Sequence, residues 1–482
     1  MDVSSASASR TGGESPWDSQ HREFDYEIRD VEGVFPPGLH GVLYRIGPGR
    51  LDVGGHPVHH IFDGDGMVSR LDLAPGRLHY RNRYVRTRSF AETTARGRPP
   101  KGFGTQRVGG PLANALRFPD NLANTNVLVH DDALYALWEG GRPHRLDADS
   151  LHTYGPESFG GALKRLGAFS AHPKRDPRTG EVFNFGLDFF PRPTIRCYRL
   201  DRAGTLHGIA SVPIPSLGFV HDFALTERHM VFVLGPLVVR HPIPVALGLR
   251  PFDHALSYEP DRGTRIVLVP RDGGEPTVFE HDALLYFHVT NAHEDGDRTV
   301  VELVAHDGDA GWAGWNRHLH DYRGNAGPAF GGTLTRLVVD RRARRVTSSV
   351  LSENGCEFPQ LDPRVAASRH RHTYLAEAST TGGDPDSIAT IDHDTGAARR
   401  YVADDGNTIC EPLFAPDPDT AGEGRGWLLS LEHQPRRHAS RLIVLRADRP
   451  DDGPVAAAQL PHHVPMTGQG SAQARSFRAG LA

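Results

Sequence analysis

The stretch Ile391–Val402, IDHDTGAARRYV, has the form of a β-hairpin: an apolar strand that ends at Asp392, a polar turn with Gly396, and a second strand. The same form recurs six more times, at 71–80 (LDLAPGRLHY), 146–155 (LDADSLHTYG), 200–208 (LDRAGTLHG), 269–279 (VPRDGGEPTVF), 338–348 (VVDRRARRVTS) and 445–455 (LRADRPDDGPV). A spacing of roughly 50–75 residues is typical of propeller blades with loop insertions. The sequence therefore predicts an all-β protein, a seven-bladed propeller.

The rest of the chain fits a single domain. Short β-type runs bounded by turn residues dominate, and no internal linker interrupts them. We expect one propeller domain at 21–482 behind a disordered polar tail at 1–20. Three segments predict short helices or long loops that form a cap over the axial site: 110–122, 241–254 and 310–322.

Composition limits the partners and the compartment. A net charge of -5 leaves no basic face for nucleic acid. The three cysteines, Cys197, Cys356 and Cys410, form no CxxC pair, which fits a reducing compartment and disfavours a disulfide framework or a cysteine zinc site. The polar N-terminus has no apolar core of a secretory signal, so we expect a cytoplasmic protein that is not secreted.

The most apolar window is Met230–Phe252, MVFVLGPLVVRHPIPVALGLRPF. One interpretation is a strand followed by a buried loop. The alternative is an apolar lip that touches a membrane or admits a greasy substrate.

Three histidines share one setting, the end of an apolar run before a polar turn: His172, His221 and His288. Inner-strand ends of a propeller converge on its axis, so these distant residues can share one centre. Neutral imidazoles suit first-row divalent metals, and their second ring nitrogen needs an acceptor. Glu139, Glu357 and Glu411 lie in similarly apolar settings. A structural hydrogen bond remains the alternative for each, because the spacing contains no compact metal motif.

Ten ordered segments resemble the carotenoid cleavage oxygenase family over nearly the whole chain. They are RIGPG (45–49), HHIFDGDGMV (59–68), ANTNV (123–127), LYALWEGG (134–141), FSAHPKRDPRTGEVFNFG (169–186), HDFALTE (221–227), FHVTNAHED (287–295), EFPQLDPR (357–364), EPLFAPDP (411–418) and LPHHVP (460–465). The resemblance implies a seven-bladed propeller with Fe(II) on its axis, held by four histidines, three of which are oriented by glutamates.

Carried over by position, the resemblance places His172, His221 and His288 on the first three ligand positions. It places Glu139, Glu357 and Glu411 on the positions that orient ligands. The remaining histidines of the matching regions, His60, His229 and His293, do not match ligand positions and are interpreted as ordinary polar residues.

The chain departs from the family at the fourth ligand. Where the family has a pattern like RVPxGFHGxW, this chain reads HVPMTGQGSA (463–472), which places Gln469 at the histidine position. Three interpretations stay open. The Gln469 amide or a water completes the site, His462 or His463 shifts into place, or the site is impaired and activity is lost.

For a competent site the resemblance implies O2-dependent cleavage of a carbon–carbon double bond, with O2 as co-substrate of the iron. Stilbene cleavers in the family tend to carry a lysine directly before the first glutamate, and here that residue is Trp138. Trp138 and Phe287 are the expected substrate-lining residues. We therefore expect an apolar polyene, a carotenoid or apocarotenoid, with a phenolic stilbene as the alternative.

Three other functions compete with cleavage. A propeller can act as a binding scaffold without chemistry. Three histidines and a water can form a hydrolytic zinc site. A relative of the family could also isomerise a polyene without consuming O2.

Overall fold

Antiparallel sheets are the repeating unit of the structure, a computed structural model that describes residues 15–189, 191–320, 322, 331–379, 384–404 and 406–466. In chain order the first strands are β1 Asp25–Ile28, β2 Val31–Gly33, β3 Gly41–Arg50, β4 Asp52–Val53, β5 His56–Pro57, β6 Asp65–Ala74, β7 Arg77–Tyr84, β8 Asn126–His130, β9 Ala133–Leu137, β10 His144–Asp147, β11 Thr153–Pro156, β12 Lys174–Arg175, β13 Val182–Asp188, β14 Thr194–Leu200, β15 Leu206–Pro213, β16 Ala224–Leu225, β17 His229–Leu234 and β18 Leu237–Val239. The remaining strands are β19 Leu256–Tyr258, β20 Thr264–Pro270, β21 Thr277–His281, β22 Leu285–Asp295, β23 Arg298–His306, β24 Gly332–Asp340, β25 Arg345–Gln360, β26 His372–Glu377, β27 Ser387–Asp392, β28 Ala398–Val402, β29 Thr408–Ile409, β30 Leu413–Pro416, β31 Gly426–Gln434, β32 Ala439–Arg446 and β33 Pro454–Gln459.

These strands form seven blades. Four sheets have the strand orders β1-β7-β6-β3, β11-β10-β9-β8, β12-β13-β14-β15 and β16-β17-β20-β21. Two further blades form one sheet, β22 to β28, because the long strand β25 belongs to both: residues 345–352 and Cys356 pair with β24, and residues in 356–360 pair with β26. In the last blade the N-terminal strand β2 pairs with the C-terminal strand β33, which closes the ring. The predicted seven-bladed propeller is confirmed.

The seven hairpins predicted from the sequence are present, one in each blade; in the first and last blades a further strand, β1 or β2, lies outside the hairpin. The hairpins are β6–β7, β10–β11, β14–β15, β20–β21, β24–β25, β27–β28 and β32–β33, all antiparallel. Each is a local element, two neighbouring strands joined by a short turn, which is why its pattern can be recognised in the sequence.

The α-helices of the described residues are α1 Arg88–Arg96, α2 Pro111–Asn114, α3 Pro242–Ala246 and α4 Gly308–His320; short 3₁₀ turns lie at Ile61–Asp63, Asp253–Ala255, Pro260–Arg262, Pro363–Val365, Pro435–Arg437 and Pro450–Asp452. Three of these α-helices, α2, α3 and α4, overlap the segments where short helices or long loops were predicted. Helix α1 was not predicted. A membrane-spanning helix needs about 20 apolar residues. None of the helices in the described part of the chain is long and apolar enough for that.

The predicted polar tail extends too far into the folded domain. Residues 1–14 lie outside the described residues, but 15–20 pack on the propeller. Trp17 belongs to the largest hydrophobic cluster, and the Gln20 amide donates to the His463 carbonyl oxygen at 3.0 Å. Burial of one indole outweighs the polar character of its neighbours.

The apolar window Met230–Phe252 has two different halves. The predicted strand is present, but the loop after it is exposed rather than buried, and membrane contact or substrate entry there stays a prediction. Met230 and its successors in β17 are buried in the core between blades. From α3 onward the side chains are exposed, with Ile243 68% and Leu249 57% accessible.

Candidate metal centre

His172, His221 and His288 come together where three blades meet the propeller axis. His172 and His221 lie just before the innermost strands β12 and β16, and His288 lies in the innermost strand β22. The Nε2 atom of His221 is 3.0 Å from that of His172 and 3.3 Å from that of His288. All three side chains are buried. The predicted convergence of these residues is therefore present in the structure.

Asp222 ties the three histidine-bearing segments to one another. Its carboxylate accepts from the Lys174 ammonium at 2.8 Å, from the Val289 N–H at 2.8 Å and from the Phe223 N–H at 2.7 Å. These donors flank the three histidines in sequence. A buried carboxylate with several donors holds its surroundings in one geometry, because every displaced donor would be left unsatisfied.

Electrostatics act in opposite directions on two of the three imidazoles. Burial, reinforced by the neighbouring His221 and His288, holds the pKa of His172 well below its ordinary value, so His172 is neutral at neutral pH. Burial would lower the pKa of His288, but the charge and hydrogen bond of Glu357 raise it. In its neutral form the Nδ1–H of His288 donates to Glu357 at 2.6 Å, which leaves the lone pair on its Nε2 atom. A neutral imidazole with a free Nε2 lone pair is a ligand for a divalent cation.

Two of the predicted glutamates lie beside the outer ring nitrogens of these histidines. Glu357 is fully buried, and Glu139 places Oε1 3.1 Å from His221 Nδ1, although the angle there is not that of a hydrogen bond. Burial opposes ionisation of Glu357, but the charge and hydrogen bond of His288 outweigh burial and hold the pKa of this carboxyl below its ordinary value. This is the arrangement that orients and strengthens imidazole ligands.

Glu411 differs from the other two glutamates. Its Oε1 accepts from the Gln360 amide at 2.7 Å, while its Oε2 is buried with no hydrogen-bond partner among the described residues. Burial raises the pKa of Glu411. Gln469, the predicted fourth position, lies outside the described residues. The unpartnered Oε2 atom fits a centre in which one further ligand would need an acceptor.

These features test whether a divalent metal fits the site. Metal–nitrogen bonds to imidazole are about 2.0–2.1 Å long. Nitrogens about 3.0–3.3 Å apart can therefore share one ion at angles near those of tetrahedral or octahedral sites. The separations between the Nε2 atoms of His172, His221 and His288 meet this condition.

The other histidines weighed from the sequence lie elsewhere. His462 stacks on Phe24 at 3.8 Å, and its Nδ1–H donates to the His463 carbonyl oxygen at 2.8 Å, so both residues hold the N-terminal segment. His229 Nδ1 is bonded to Glu294 at 2.8 Å, and His60 Nδ1 accepts from the Phe62 N–H at 3.1 Å. His293 is half-buried in β22.

The two predicted substrate-lining residues, Phe287 and Trp138, differ in burial and in their contact with the three histidines. Phe287 is buried with its ring 6.4 Å from that of His221, and Phe219 stacks on His221 at 5.5 Å with nearly parallel planes. Trp138 is half-buried directly before Glu139. Phe219 was missed by the sequence prediction, although it lies two residues before His221.

A second group of potential ligands, Glu302, His370 and His393, is a hydrogen-bonded network rather than a metal site. His370 Nδ1 accepts from the Asn291 amide at 3.1 Å, and that amide is oriented by the Ala367 N–H, which donates to its oxygen. Neutral His370 therefore carries its proton on Nε2, which faces Glu302 at 3.1 Å. A protonated nitrogen cannot bind a cation.

Replacing Glu302 with glutamine is expected to destabilise the fold in a pH-dependent way. Burial alone would raise the pKa of Glu302, but the ion pair with His370 and the further charges of His393 and Arg336 outweigh burial and lower this pKa from its ordinary 4.5 to about 2. The wild-type advantage is thus full above pH 4.5 and lost as the pH falls toward 2. We expect a loss of about 3 kcal/mol at pH 7, measured by urea unfolding.

The matched control is Glu280→Gln, an exposed glutamate in β21, which should change stability by less than about 0.5 kcal/mol. An equal loss for Glu302→Gln at pH 7 and pH 3 would contradict the role of ionised Glu302.

Comparisons with known proteins agree with the fold. The profile described as retinal pigment epithelial membrane protein matches residues 17–471. Apocarotenoid-15,15'-oxygenase of Synechocystis is 34% identical over 94% of this chain and 94% of its own length. Resveratrol cleavage oxygenase 1 of Aspergillus fumigatus is 28% identical over 88% of this chain and 87% of its length. The crystal structure of the cobalt-substituted Synechocystis oxygenase superposes with a TM-score of 0.86, 32% identity and coverage of 95% and 98%.

The seven-bladed fold, with three buried histidines close together at its centre, is the arrangement of a propeller oxygenase. The chain belongs to the family of retinal pigment epithelial membrane protein, the carotenoid cleavage oxygenases. It is an enzyme of the carotenoid oxygenase type, a class that uses iron and O2 to cleave carbon–carbon double bonds.

Proposed function

We propose that this protein is a non-haem Fe(II) dioxygenase that cleaves one double bond of an apocarotenoid or carotenoid to two carbonyl products. The observation that carries the proposal is the trio of buried Nε2 atoms of His172, His221 and His288, 3.0 and 3.3 Å apart. Similarity to the apocarotenoid-15,15'-oxygenase over nearly the whole chain supports the substrate class.

The residues divide the work as follows. His172, His221 and His288 would hold the metal, Glu357 orients His288, and Glu139 lies beside the Nδ1 atom of His221. When bound, the iron would supply O2 activation beside the double bond, and both oxygen atoms end in the two carbonyl groups. Cleavage of the double bond by O2 requires no protein acid or base, so the protein acts by placing the alkene and excluding water.

The side chains around the centre favour an apolar polyene over a phenol. Phe219 and Phe287 have their ring centroids 6.1 Å apart and cover the His221 ring from two directions. Trp138 lies where stilbene cleavers of the family tend to carry a lysine. An indole and two phenyl rings provide apolar contact for a conjugated chain, whereas a phenolate would lack a cation there.

Iron content and O2 consumption test the proposal. Protein purified anaerobically and supplied with Fe(II) is expected to hold close to one iron per chain, with zinc measured alongside. Addition of apocarotenals in air should then consume O2 and yield shorter aldehydes, separated by chromatography. Iron binding with polyene isomerisation and no O2 uptake would contradict the cleavage activity, and activity without O2 after zinc reconstitution would favour a hydrolase.

A second candidate is a family member whose activity is impaired and which acts as a binding propeller. Gln469 in place of the fourth histidine favours it, as does the unpartnered buried Oε2 atom of Glu411. In that case the protein would bind the polyene without iron and without O2 uptake, and substitution of His221 would leave polyene binding unchanged.

We further propose that the substrate enters from a membrane surface. Two segments form an exposed apolar patch, and they are joined by a hydrogen bond from the Leu116 N–H to the Ala246 carbonyl oxygen at 2.8 Å. Its exposed members are Leu112, Leu116, Phe118, Ile243, Leu247 and Leu249. An exposed patch of large apolar side chains is typical of a surface that contacts lipid or protein.

Replacing Leu112 and Leu116 together with glutamate is expected to reduce co-sedimentation with phosphatidylcholine–phosphatidylglycerol vesicles by at least about tenfold. These side chains are 93% and 86% exposed, so the loss of apolar contact and the added charge both oppose insertion. The control is Val402→Glu, which changes a side chain that is 55% exposed on an outer strand. Equal vesicle binding by the double variant would contradict membrane contact through this patch.

A further inference from the structure

We propose that His306, fixed by Trp315, is a positioning residue of the metal centre: it holds Glu357 in the orientation in which that carboxylate accepts from His288. This inference rests on the proposed function, because it concerns the same centre. The proposal adds two residues to the surroundings of the centre: His306 at the end of β23 and Trp315 in helix α4. Neither residue was singled out by the sequence analysis.

The hydrogen bonds fix the tautomer of His306. The indole Nε1–H of Trp315 is a donor only, and it lies 3.2 Å from His306 Nδ1. His306 Nδ1 must therefore be the acceptor, and the ring proton of neutral His306 sits on Nε2. That Nε2–H donates to Glu357 Oε1 at 2.8 Å.

The other oxygen of Glu357 serves the metal ligand. Its Oε2 accepts from His288 Nδ1–H at 2.6 Å and from the Phe358 N–H at 2.7 Å. The carboxylate thus bridges two imidazoles, and both of its oxygens have donors. A continuous series of hydrogen bonds runs from Trp315 through His306 and Glu357 to His288.

Close packing holds the side chains of this hydrogen-bonded series in one arrangement. The side chains of Glu357 and His306 are 0% and 2% exposed, so water cannot replace a lost donor. Phe287 packs against both outer members, with ring centroids 5.2 Å from His306 and 4.7 Å from Trp315. Without the His306 donor, Glu357 Oε1 would be buried and unsatisfied, and the carboxylate would rotate toward another donor.

This rotation weakens the bond that orients His288. A rotated Glu357 no longer accepts well from His288 Nδ1–H, so this imidazole becomes a poorer ligand and its ring is held less firmly. Loss of a partner that orients a metal ligand lowers metal affinity about 10- to 100-fold. Because His306 acts through Glu357, we expect the lower end of that range.

Titration of the metal-free protein with Co²⁺, in competition with a chelator, tests the proposal. His306→Leu removes the donor and is expected to weaken Co²⁺ binding about tenfold and to alter the d–d absorption spectrum. His306→Gln keeps an amide N–H that can reach Glu357 and should restore most of the affinity. Trp315→Phe removes the hydrogen bond that fixes the tautomer of His306 but keeps the His306 ring as a possible donor to Glu357. It should therefore weaken Co²⁺ binding less than His306→Leu.

The control is Trp312→Phe on the same helix α4, whose indole makes no hydrogen bond to this series among the described residues. It should bind Co²⁺ like wild type. Thermal unfolding of every variant separates a loss of stability from a loss of affinity. A merely structural His306 would lower the unfolding temperature and leave the affinity and spectrum unchanged.

The outcomes separate this inference from the proposed function. Wild-type protein that binds no Co²⁺ overturns both the metal centre and the role of His306. Stoichiometric binding by wild type, with equal affinity and spectrum for His306→Leu, overturns only the role of His306. Binding by His306→Gln as weak as that by His306→Leu also overturns it, because the donor would then not be what matters.

Discussion

Replacing His221 with alanine is expected to abolish iron binding and cleavage activity together. Its Nε2 atom lies between the other two, 3.0 Å from that of His172 and 3.3 Å from that of His288, so its removal leaves two imidazoles without the central ligand. We expect metal affinity to fall by more than about a hundredfold, beyond the effect of losing an outer partner of a ligand. Iron per chain after desalting, and initial rates of aldehyde formation, measure the two losses.

The control is His229→Ala in the same stretch of sequence, a half-buried histidine bonded to Glu294 rather than to the centre. It should retain iron, with a lower unfolding temperature as its main effect. Full iron occupancy in His221→Ala would contradict the assignment of the centre.

Replacing Gln469 with histidine is expected to tighten iron binding by about 10- to 100-fold. An imidazole is a better ligand than an amide, and Glu411 has a buried oxygen with no partner among the described residues that could accept its second N–H. Competition titration of Fe(II) under anaerobic conditions gives the ratio of the affinities. Cleavage activity should rise with occupancy at limiting iron.

The double variant Gln469→His with Glu411→Gln sharpens this test. If Glu411 orients the new imidazole, the gain from Gln469→His should shrink several-fold in the Glu411→Gln background, which is a coupling between the two sites. Unchanged iron affinity in Gln469→His would contradict the placement of residue 469 at the fourth ligand position.

Local patterns determined much of the fold prediction. The hairpin at 391–402 and its six counterparts are short-range elements, in which turn residues and alternating side chains act within about a dozen residues. Helices α2, α3 and α4 fell in predicted segments for the same reason. The tail boundary failed at Trp17, because its burial depends on a distant part of the chain.

Only part of the site could be predicted from the sequence. His172, His221 and His288 share a setting at the ends of apolar runs, but their setting alone left an ordinary buried histidine as the alternative. Family resemblance placed them together. His306 also ends an apolar strand before a polar turn, so the same signal was present there, yet no pattern links it to Trp315 or Glu357.

The sequence by itself determined the all-β class, the seven repeated hairpins and the residue types available for a metal centre, because these depend on local periodicity and side-chain chemistry. Only the tertiary structure decided which side chains meet. Closure of the ring by β2 and β33 brings residues more than 400 positions apart into one sheet. The bridge from His288 through Glu357 to His306, and the patch shared by Leu116 and Ala246, likewise arise from contacts between distant segments, which local sequence does not encode.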